Sequence, residues 1–314
     1  MTIERDLQQW LQANLSTSPQ LSVGFGDDAA VLRQAADNGT VVTTDLLTDG
    51  VDFLLDEVDP RLVGHKALGV NLSDLAAMAS RPVVAFVSLA LPRDGTAGLS
   101  CLELAIELYR GMLPLADRYE LVIAGGDTNT WDAPLVISIT VLGETTEHGP
   151  LTRSGGQSGD LLLATGTFGG SILGRHLRVE PRVSEALLLH DQYELHAGID
   201  VSDGLSLDTA RLAAASGVGA QIDLSAIPIA DAACRLSEQD KKSSRDHALG
   251  DGEDFELILA VPPAEAERIL RDQPLELPIA GIGELVDMPG LWGLDLAGQR
   301  VPLDPQGYQH RGNA

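Results

Sequence analysis

Acidic residues of this chain recur beside glycines or at the ends of apolar runs, where short side chains can be directed at a common cleft. They lie in six segments: Gly26-Asp27-Asp28, Thr43-Thr44-Asp45, Ser73-Asp74, Gly125-Gly126-Asp127-Thr128, Asp200-Val201-Ser202-Asp203-Gly204 and Gly252-Glu253-Asp254. Any one of these acids alone is best interpreted as a turn or helix cap, and Asp27 is expected to be such a cap. Six segments together favour a shared site.

Carboxylates gathered in one cleft need cations, because two of them ~4 Å apart repel by ~4 kcal/mol at intermediate dielectric. The candidate ligands are all oxygens from Asp, Thr and Ser, so Mg²⁺ fits better than Zn²⁺. Protein-bound Mg²⁺ usually combines a few carboxylates with waters and substrate phosphates. The pattern therefore predicts a phosphoryl-transfer site that holds several Mg²⁺ ions and binds ATP through them.

The common nucleotide motifs do not account for this site. No lysine follows a glycine, which excludes a P-loop, and neither His-Arg-Asp nor Asp-Phe-Gly of the protein kinases occurs. The segment Gly24-Phe25-Gly26 through Ala29 matches a dinucleotide fingerprint superficially, but it places two carboxylates where a pyrophosphate would lie.

Composition excludes several classes of protein. The formal net charge is −25 over 314 residues, which argues against nucleic-acid binding through a basic surface. Cys101 and Cys234 have no metal-ligand spacing and indicate a reducing compartment. The first residues form a polar amphipathic helix pattern, and the longest apolar run, Val83 to Leu91, is too short for a membrane span. We therefore expect a cytoplasmic protein that contacts no membrane.

Periodicity predicts a mixed α+β fold. β-Branched enrichment predicts strands at Val41–Thr44, Val83–Leu91, Leu121–Ile123, Leu135–Leu142, Leu161–Thr165, Gln221–Ile222 and Glu256–Val261. Apolar residues at three-to-four spacing predict helices at Pro60–Ser80, Ser100–Tyr119, Ser184–Leu189, Leu207–Ser216 and Pro263–Arg271. A stretch rich in Gly, Ser, Thr and Pro at 144–159 predicts a domain boundary, dividing the chain into residues 1–148 and 149–314.

The ordered motifs resemble the thiamine-monophosphate kinases, which belong to the ATP-binding superfamily of aminoimidazole ribonucleotide synthetase. The resemblance runs colinearly through nine blocks: GDDAAV (26–31), TTDLLTDGVDF (43–53), GHKALGVNLSDLAAMAS (64–80), GGDT (125–128), LTRSG (151–155), RHLRVEPRV (175–183), IDVSDGL (199–205), GDGEDFEL (250–257) and GIGE (281–284). One such block is common by chance, whereas nine in order are specific.

The resemblance implies two α/β domains of the aminoimidazole ribonucleotide synthetase-like type. The N-terminal domain would bind ATP and Mg²⁺ and form a homodimer through its sheet, with a C-terminal α/β domain closing the ATP cleft. By motif, the Mg²⁺ ligands or their close supports would be Asp28, Thr43, Thr44, Asp45, Asp74, Asp127, Asp200 and Asp203. Nucleotide contacts would come from Tyr109, Gly126, Asp127, Arg153 and Ser202, and acceptor contacts from Asp52, Glu253 and Tyr308.

The implied reaction is direct in-line transfer of the ATP γ-phosphoryl group to thiamine monophosphate, giving thiamine diphosphate. Because the second pKa of a phosphate monoester is near ~6, the attacking oxygen is mostly deprotonated at pH 7. We therefore expect no catalytic side chain, with catalysis arising from positioning and metal ions.

The chain departs from the family pattern at the acceptor end. Asp52 replaces a histidine of the usual Gly-Val-His-Phe, and Asp251-Gly252 replaces Gly-Gly before Glu253. These acids could tune the acceptor, recruit another metal ion or face solvent, and Tyr308 could stack on the acceptor or pack on the domain. The alternatives are another ATP-using enzyme of the superfamily, such as aminoimidazole ribonucleotide synthetase, or a catalytically silent nucleotide-binding module.

Overall fold

The computed structural model describes residues 21–23, 30–33, 39–96, 98–295 and 297–309. The predicted ligand Asp28 and the predicted amphipathic N-terminal helix lie outside these residues. None of the helices in the described ranges is both long enough and apolar enough to cross a membrane.

The first half of the chain forms a six-stranded sheet in the order β1-β2-β3-β6-β4-β5. Its strands are β1 (Leu21–Val23), β2 (Ala30–Arg33), β3 (Gly39–Thr48), β4 (Ser80–Pro92), β5 (Val122–Trp131) and β6 (Val136–Thr145). All neighbouring pairs are antiparallel except β4 and β5, which run parallel because helix α2 (Cys101–Arg118) connects them.

One face of this sheet is covered and the other is open. Alternate residues such as Val87 and Ile139 are buried with α2 and the preceding helix α1 (Pro60–Ala77) in one apolar core. The opposite face carries Leu46, Val83 and Phe86, whose side chains are exposed. The sheet therefore has an apolar face that nothing in the described chain covers.

Helix α1 is buried on nearly all sides. Asp59 caps its N-terminus, accepting a hydrogen bond from the backbone N–H of Arg61, and Pro60 follows at the first helical position. A Cβ on Gly64 would lie 2.0 Å from the carbonyl oxygen of Leu108, so this glycine lets α2 approach closely. Because α1 also contacts α3 and β8 of the second half, it lies between the two halves of the molecule.

The second half forms a seven-stranded sheet in the order β13-β12-β9-β11-β7-β10-β8. Its strands are β7 (Leu161–Thr165), β8 (Ala197–Asp200), β9 (Gly219–Asp223), β10 (Leu257–Val261), β11 (Ile279–Val286), β12 (Leu291–Leu294) and β13 (Arg300–Pro302). Its helices are α3 (Val183–Gln192), α4 (Leu205–Ala215), α5 (Asp231–Ser237), α6 (Ser244–Gly250) and α7 (Pro263–Asp272). The α+β prediction is confirmed.

Candidate active site

Three carboxylates, one buried and two half-buried, converge where the two halves meet. Asp45 comes from the middle of β3, Asp74 from the last turn of α1, and Asp200 from the C-terminal end of β8. Alternation along β3 directs Thr43 and Asp45 toward the helices, while α1 lies against both β3 and β8. Elements from both halves are therefore needed to assemble this group.

Hydroxyl groups donate to two of these carboxylates. The Thr43 hydroxyl donates a short hydrogen bond to Asp74, and the Ser73 hydroxyl donates to Oδ2 of Asp200 at 2.5 Å. Both hydroxyls lie within the predicted segments, and each tethers an acid from a different element. These contacts bring hard oxygen donors of both halves to one region.

The carboxylates are costly to ionise together. Burial, followed by the charges of Asp200 and Asp52, raises the pKa of Asp45 to about 7. Burial raises the pKa of Asp74 well above its ordinary value, and the charges of Asp45 and Asp200 add to the rise. Burial also raises the pKa of Asp200, although Ser73 and the Arg153 charge oppose this. A divalent cation would relieve this repulsion, so the donor set fits Mg²⁺.

A cleft of about 280 Å³ adjoins the cluster. Its walls come from β3 and the following turn, from α1, from the 202–203 segment and from the loop after α6, with Tyr308 near the chain end. The polar side chains that line it are those of Asp45, Asp52, Lys66, Ser202, Asp203, Asp251, Glu253 and Tyr308. Five predicted site residues besides Asp45 are thus in or at this cleft: Asp52, Ser202, Asp203, Glu253 and Tyr308.

The 202–203 segment is held by residues that the sequence reasoning missed. Asp208 of α4 accepts hydrogen bonds from the backbone N–H groups of Asp203 at 2.9 Å and Gly204 at 3.1 Å. Arg211, one turn further along α4, forms ion pairs with both Asp203 and Asp208. The sequence does carry one signal for this contact. Asp208 is an acid four residues after Gly204, in the first turn of a helix.

Lys66 is the other residue that the sequence reasoning missed. Its side chain is almost completely buried, yet its ammonium group donates to the carbonyl oxygen of Asp52 at 2.7 Å and pairs with Oε1 of Glu253 at 2.5 Å. Asp52 itself is part of a turn, since its carboxylate accepts a hydrogen bond from the backbone N–H of Thr48 at 2.7 Å. The first departure at the acceptor end, Asp52, is therefore tied to local structure.

Asp251 also has structural partners. Its carboxylate accepts a hydrogen bond from the backbone N–H of Gly170 at 2.9 Å and contacts His247 at 2.9 Å. The following residues adopt left-handed backbone conformations, with φ of 74° at Gly252, 53° at Glu253 and 51° at Phe255. This loop reaches the cleft through a conformation that non-glycine residues rarely adopt.

Several predicted site residues lie away from the cluster within one chain. Thr44 points to the open face of the sheet, where its hydroxyl donates to the carbonyl oxygen of Ile139 at 3.2 Å. The expectation that Thr44 joins Thr43 at one site is therefore not met by its side chain, because adjacent strand residues face opposite sides.

Gly126 and Asp127 are separated from Asp45 by three strand spacings. The register pairs Asp45 with Ile139, Ile139 with Val87, and Val87 with Gly126. At ~4.8 Å per strand, this places Gly126 roughly 14 Å from Asp45. Within one chain the register therefore keeps Gly126 and Asp127 away from Asp45, and their place in the site stays a prediction.

Of the other predicted nucleotide contacts, one lies outside the cleft and one lies near the carboxylates. Tyr109 lies half-buried on α2 and is not among the described residues that line the cleft. Arg153 lies close enough to Asp200 for its charge to lower the pKa of that acid. Tyr308, which was predicted to contact the acceptor, lines the cleft, and its backbone N–H donates to the carbonyl oxygen of Asp203 at 2.9 Å.

Comparison with known proteins agrees with this architecture. The family model "AIR synthase related protein, N-terminal domain" matches residues 26–145, and "AIR synthase related protein, C-terminal domain" matches residues 140–291. A thiamine-monophosphate kinase of Rhodopirellula baltica is 42% identical over 98% of this chain and 97% of its own. The Escherichia coli K12 thiamine-monophosphate kinase is 34% identical over 94% of each chain.

A solved structure extends the agreement to three dimensions. The structure described as "AaThiL complexed with AMPPCP and TMP" superposes with a TM-score of 0.81 at 26% identity, covering 98% of this chain and 96% of the other. Together with the matched domains and relatives, this shows that the chain belongs to the thiamine-monophosphate kinase family, within the AIR synthase related proteins.

Proposed function

We propose that this cleft transfers the γ-phosphoryl group of ATP directly and in line to the phosphate of thiamine monophosphate, giving thiamine diphosphate. The observation that carries the proposal is the convergence of Asp45, Asp74 and Asp200 beside a cleft large enough for a small-molecule acceptor. The family supports ATP as the donor and thiamine monophosphate as the acceptor.

The buried oxygen donors would hold several Mg²⁺ ions. Thr43, Asp45, Asp74, Asp200 and Asp203 are the candidate ligands or supports near the cleft, and we assign Asp28 to the same set from its motif. Bound there, Mg²⁺ supplies positive charge that neutralises the phosphate oxygens during transfer. The chain's own contribution is to place these acids on three rigid elements, so that their geometry does not change as the substrates react.

Nucleotide positioning falls to residues at the rim of the cluster. Arg153 offers a planar fork of donors suited to phosphate oxygens, and Ser202 presents a short side chain at the cleft wall. We also assign Tyr109 and Gly126 to nucleotide contacts, which they would make once two chains pair. The acceptor would lie against Asp52, Glu253 and Tyr308, where acid and aromatic groups suit a cationic heterocycle.

The acceptor phosphate needs no general base. At pH 7 its attacking oxygen is largely deprotonated, because the second pKa of a phosphate monoester is near ~6. The residues of the cleft therefore act by binding and aligning two phosphorylated molecules rather than by proton transfer.

We further propose that the chain works as a homodimer built on its first sheet. The open face exposes Leu46, Val83 and Phe86, and β5 ends the order of strands with nearly all of its residues exposed. We assign Gly126 and Asp127 of a second copy seated there to the first copy's site, because the register separates them from Asp45 within one chain. We place the boundary between the ATP- and Mg²⁺-binding half and the C-terminal α/β half at residue 148.

A product assay tests the reaction. Purified protein with ATP, MgCl₂ and thiamine monophosphate is expected to yield thiamine diphosphate and ADP in equal amounts, with no product in excess chelator. ATP hydrolysis that responds only to formylglycinamidine ribonucleotide would show the runner-up activity instead. ATP binding without any transfer would show a silent module.

A further inference from the structure

Lys66 has an unusual position for a lysine. Its side chain is 2% exposed, in the middle of a helix whose neighbouring residues Ala67 and Leu68 are fully buried. Burying an ammonium group is costly unless it is paired and hydrogen-bonded. An apolar residue of similar length would fill the same space at less cost, so the position calls for a reason other than packing.

The partner of Lys66 is a residue of the cleft. The Glu253 side chain that receives the ammonium group remains 35% exposed, and it lines the cleft that we assign to the acceptor. Lys66 is thus shielded from solvent, while the Glu253 side chain is partly accessible from the cleft. A pair that served stability alone would not need an exposed partner.

The backbone of Glu253 also holds this residue in position. Glu253 has φ of 53°, and its N–H donates to the carbonyl oxygen of Ser202 at 2.7 Å. A left-handed conformation at a non-glycine residue costs of order 1–3 kcal/mol, so it persists only where surrounding contacts enforce it. The backbone bond to Ser202 and the side-chain pair with Lys66 fix this residue from two directions.

Lys66 also balances the charge of the cleft. The other ionisable side chains among the described lining residues are Asp45, Asp52, Asp203, Asp251, Glu253 and Tyr308, so Lys66 alone contributes a cation there. A charge-assisted hydrogen bond from Lys66 holds the Glu253 carboxylate in one orientation among these neighbouring acids. Through Asp52 the same ammonium group anchors the turn on the opposite wall.

We propose that Lys66 is a positioning residue that sets the affinity for the acceptor, by holding the Glu253 carboxylate aimed into the cleft. The inference rests on the proposed function, since it takes the cationic acceptor to bind beside Glu253. In this proposal Lys66 acts through Glu253 rather than by direct contact with the nucleotide or the transferred phosphoryl group.

The test is steady-state kinetics of Lys66→Met, with each substrate varied in turn. Loss of one charge-assisted contact predicts a rise of about tenfold or more in the KM for thiamine monophosphate. We expect kcat and the KM for ATP to stay within about twofold of wild type. Lys241→Met is the matched control, because Lys241 is exposed and outside the cleft. A purely structural role would lower the active fraction, and therefore kcat, without moving the KM for one substrate.

A double-mutant cycle with Glu253→Gln completes the test. If Lys66 acts through Glu253, the double variant has an acceptor KM no higher than that of the worse single variant. Additive effects, an unchanged acceptor KM in Lys66→Met, or an equal rise in both KM values would overturn the inference while the proposed function stands. Wild-type protein that neither binds nor phosphorylates thiamine monophosphate would instead overturn the proposed function, and this inference with it.

Discussion

Asp74 is an acid whose ionised form the fold disfavours unless a cation is bound. It is half-buried on α1, its pKa is raised well above the ordinary value, and the one described hydrogen bond to its carboxylate comes from Thr43. Such an acid destabilises the folded chain when it is ionised alone, and it becomes favourable when a cation is bound. We therefore keep Asp74 as a proposed metal ligand rather than as a residue that stabilises the fold.

The substitution Asp74→Asn separates these roles. The amide keeps an oxygen for the Thr43 hydroxyl but loses the charge, so we predict that kcat falls about 100-fold or more, as for loss of a preorganised electrostatic contact. Thermal unfolding in chelator is expected at the same temperature as wild type or higher. Asp132→Asn is the control, since the Asp132 side chain is 82% exposed. Activity close to wild type in Asp74→Asn would contradict its assignment as a ligand.

Asp254 gives a pH dependence that is separate from the metal cluster. Burial raises the pKa of Asp254 to about 7, with only partial compensation by Arg175 and by the N–H of Gly169. Because the folded pKa lies above the unfolded value of 3.8, the folded state binds this proton more tightly. The stability that it contributes is complete below pH ~4 and is lost as the pH rises toward 7.

We therefore predict that Asp254→Asn gains stability relative to wild type as the pH is raised from 5 to 7. The asparagine does not titrate, while its oxygen can still accept from Gly169. Thermal unfolding in chelator at intervals across this range measures the difference. If the unfolding temperatures of wild type and Asp254→Asn change in parallel from pH 5 to 7, Asp254 does not titrate in this window.

At the scale of residues, the sequence predicted the acids but not their supports. Asp45, Asp74 and Asp200 were found because each follows a strand or precedes a turn in a short polar motif. Lys66 was not, because a single lysine in an apolar helix has no signature until the residues opposite it are known. The same holds for Arg211, whose pairing with Asp203 depends on how α4 lies beside its own preceding loop.

At the scale of elements, strand β5 requires a glycine at position 126. Gly126 has φ of 152°, and a Cβ there would lie 1.7 Å from the carbonyl oxygen of Val87 on β4. Its neighbour Gly125 is ordinary in comparison, since the nearest heavy atom to a Cβ would be a Phe86 ring carbon at 3.7 Å. Two adjacent glycines therefore have different roles in the same strand.

We predict that Gly126→Ala disrupts the pairing of β4 with β5 and abolishes most activity, while Gly125→Ala is tolerated. The reason is a contact with backbone, which cannot move aside as a flexible side chain would. Thermal unfolding and product formation measured on both variants test this. Equal behaviour of the two alanine variants would contradict the close approach of β5 to β4 at Gly126.

The extents of the elements show what local patterns can and cannot predict. The predicted helix Pro60–Ser80 ends at Ala77, because Ala79 is left-handed and Ser80 already begins β4. The predicted strand Leu121–Ile123 continues to Trp131, although GGDTNT has neither apolar alternation nor β-branched density. Pairing with β4, a tertiary interaction, decides that second boundary.

At the scale of the whole molecule, the net charge of −25 divides into two populations. Most acids of the described residues are not buried, while a small group in the second half is buried: Asp160, Asp200, Asp208, Asp254 and Glu256. Composition alone could predict an excess of acid but not this division, since burial depends on which elements enclose a residue. The register across the first sheet adds a second fact, that Asp45 and Asp127 are too far apart to share an ion within one chain.

This separation predicts complementation between subunits. If each site combines Asp45 of one subunit with Asp127 of the other, a heterodimer of Asp45→Asn with Asp127→Asn contains one intact site and one doubly altered site. Purified through two different tags, it should show about half of the wild-type activity per dimer, whereas each variant homodimer is nearly inactive. The crossed arrangement, a chain carrying both substitutions paired with a wild-type chain, leaves no intact site and should be inactive. The reverse result, an inactive first heterodimer and a half-active crossed one, would place Asp45 and Asp127 in the same subunit's site and contradict the proposed dimer.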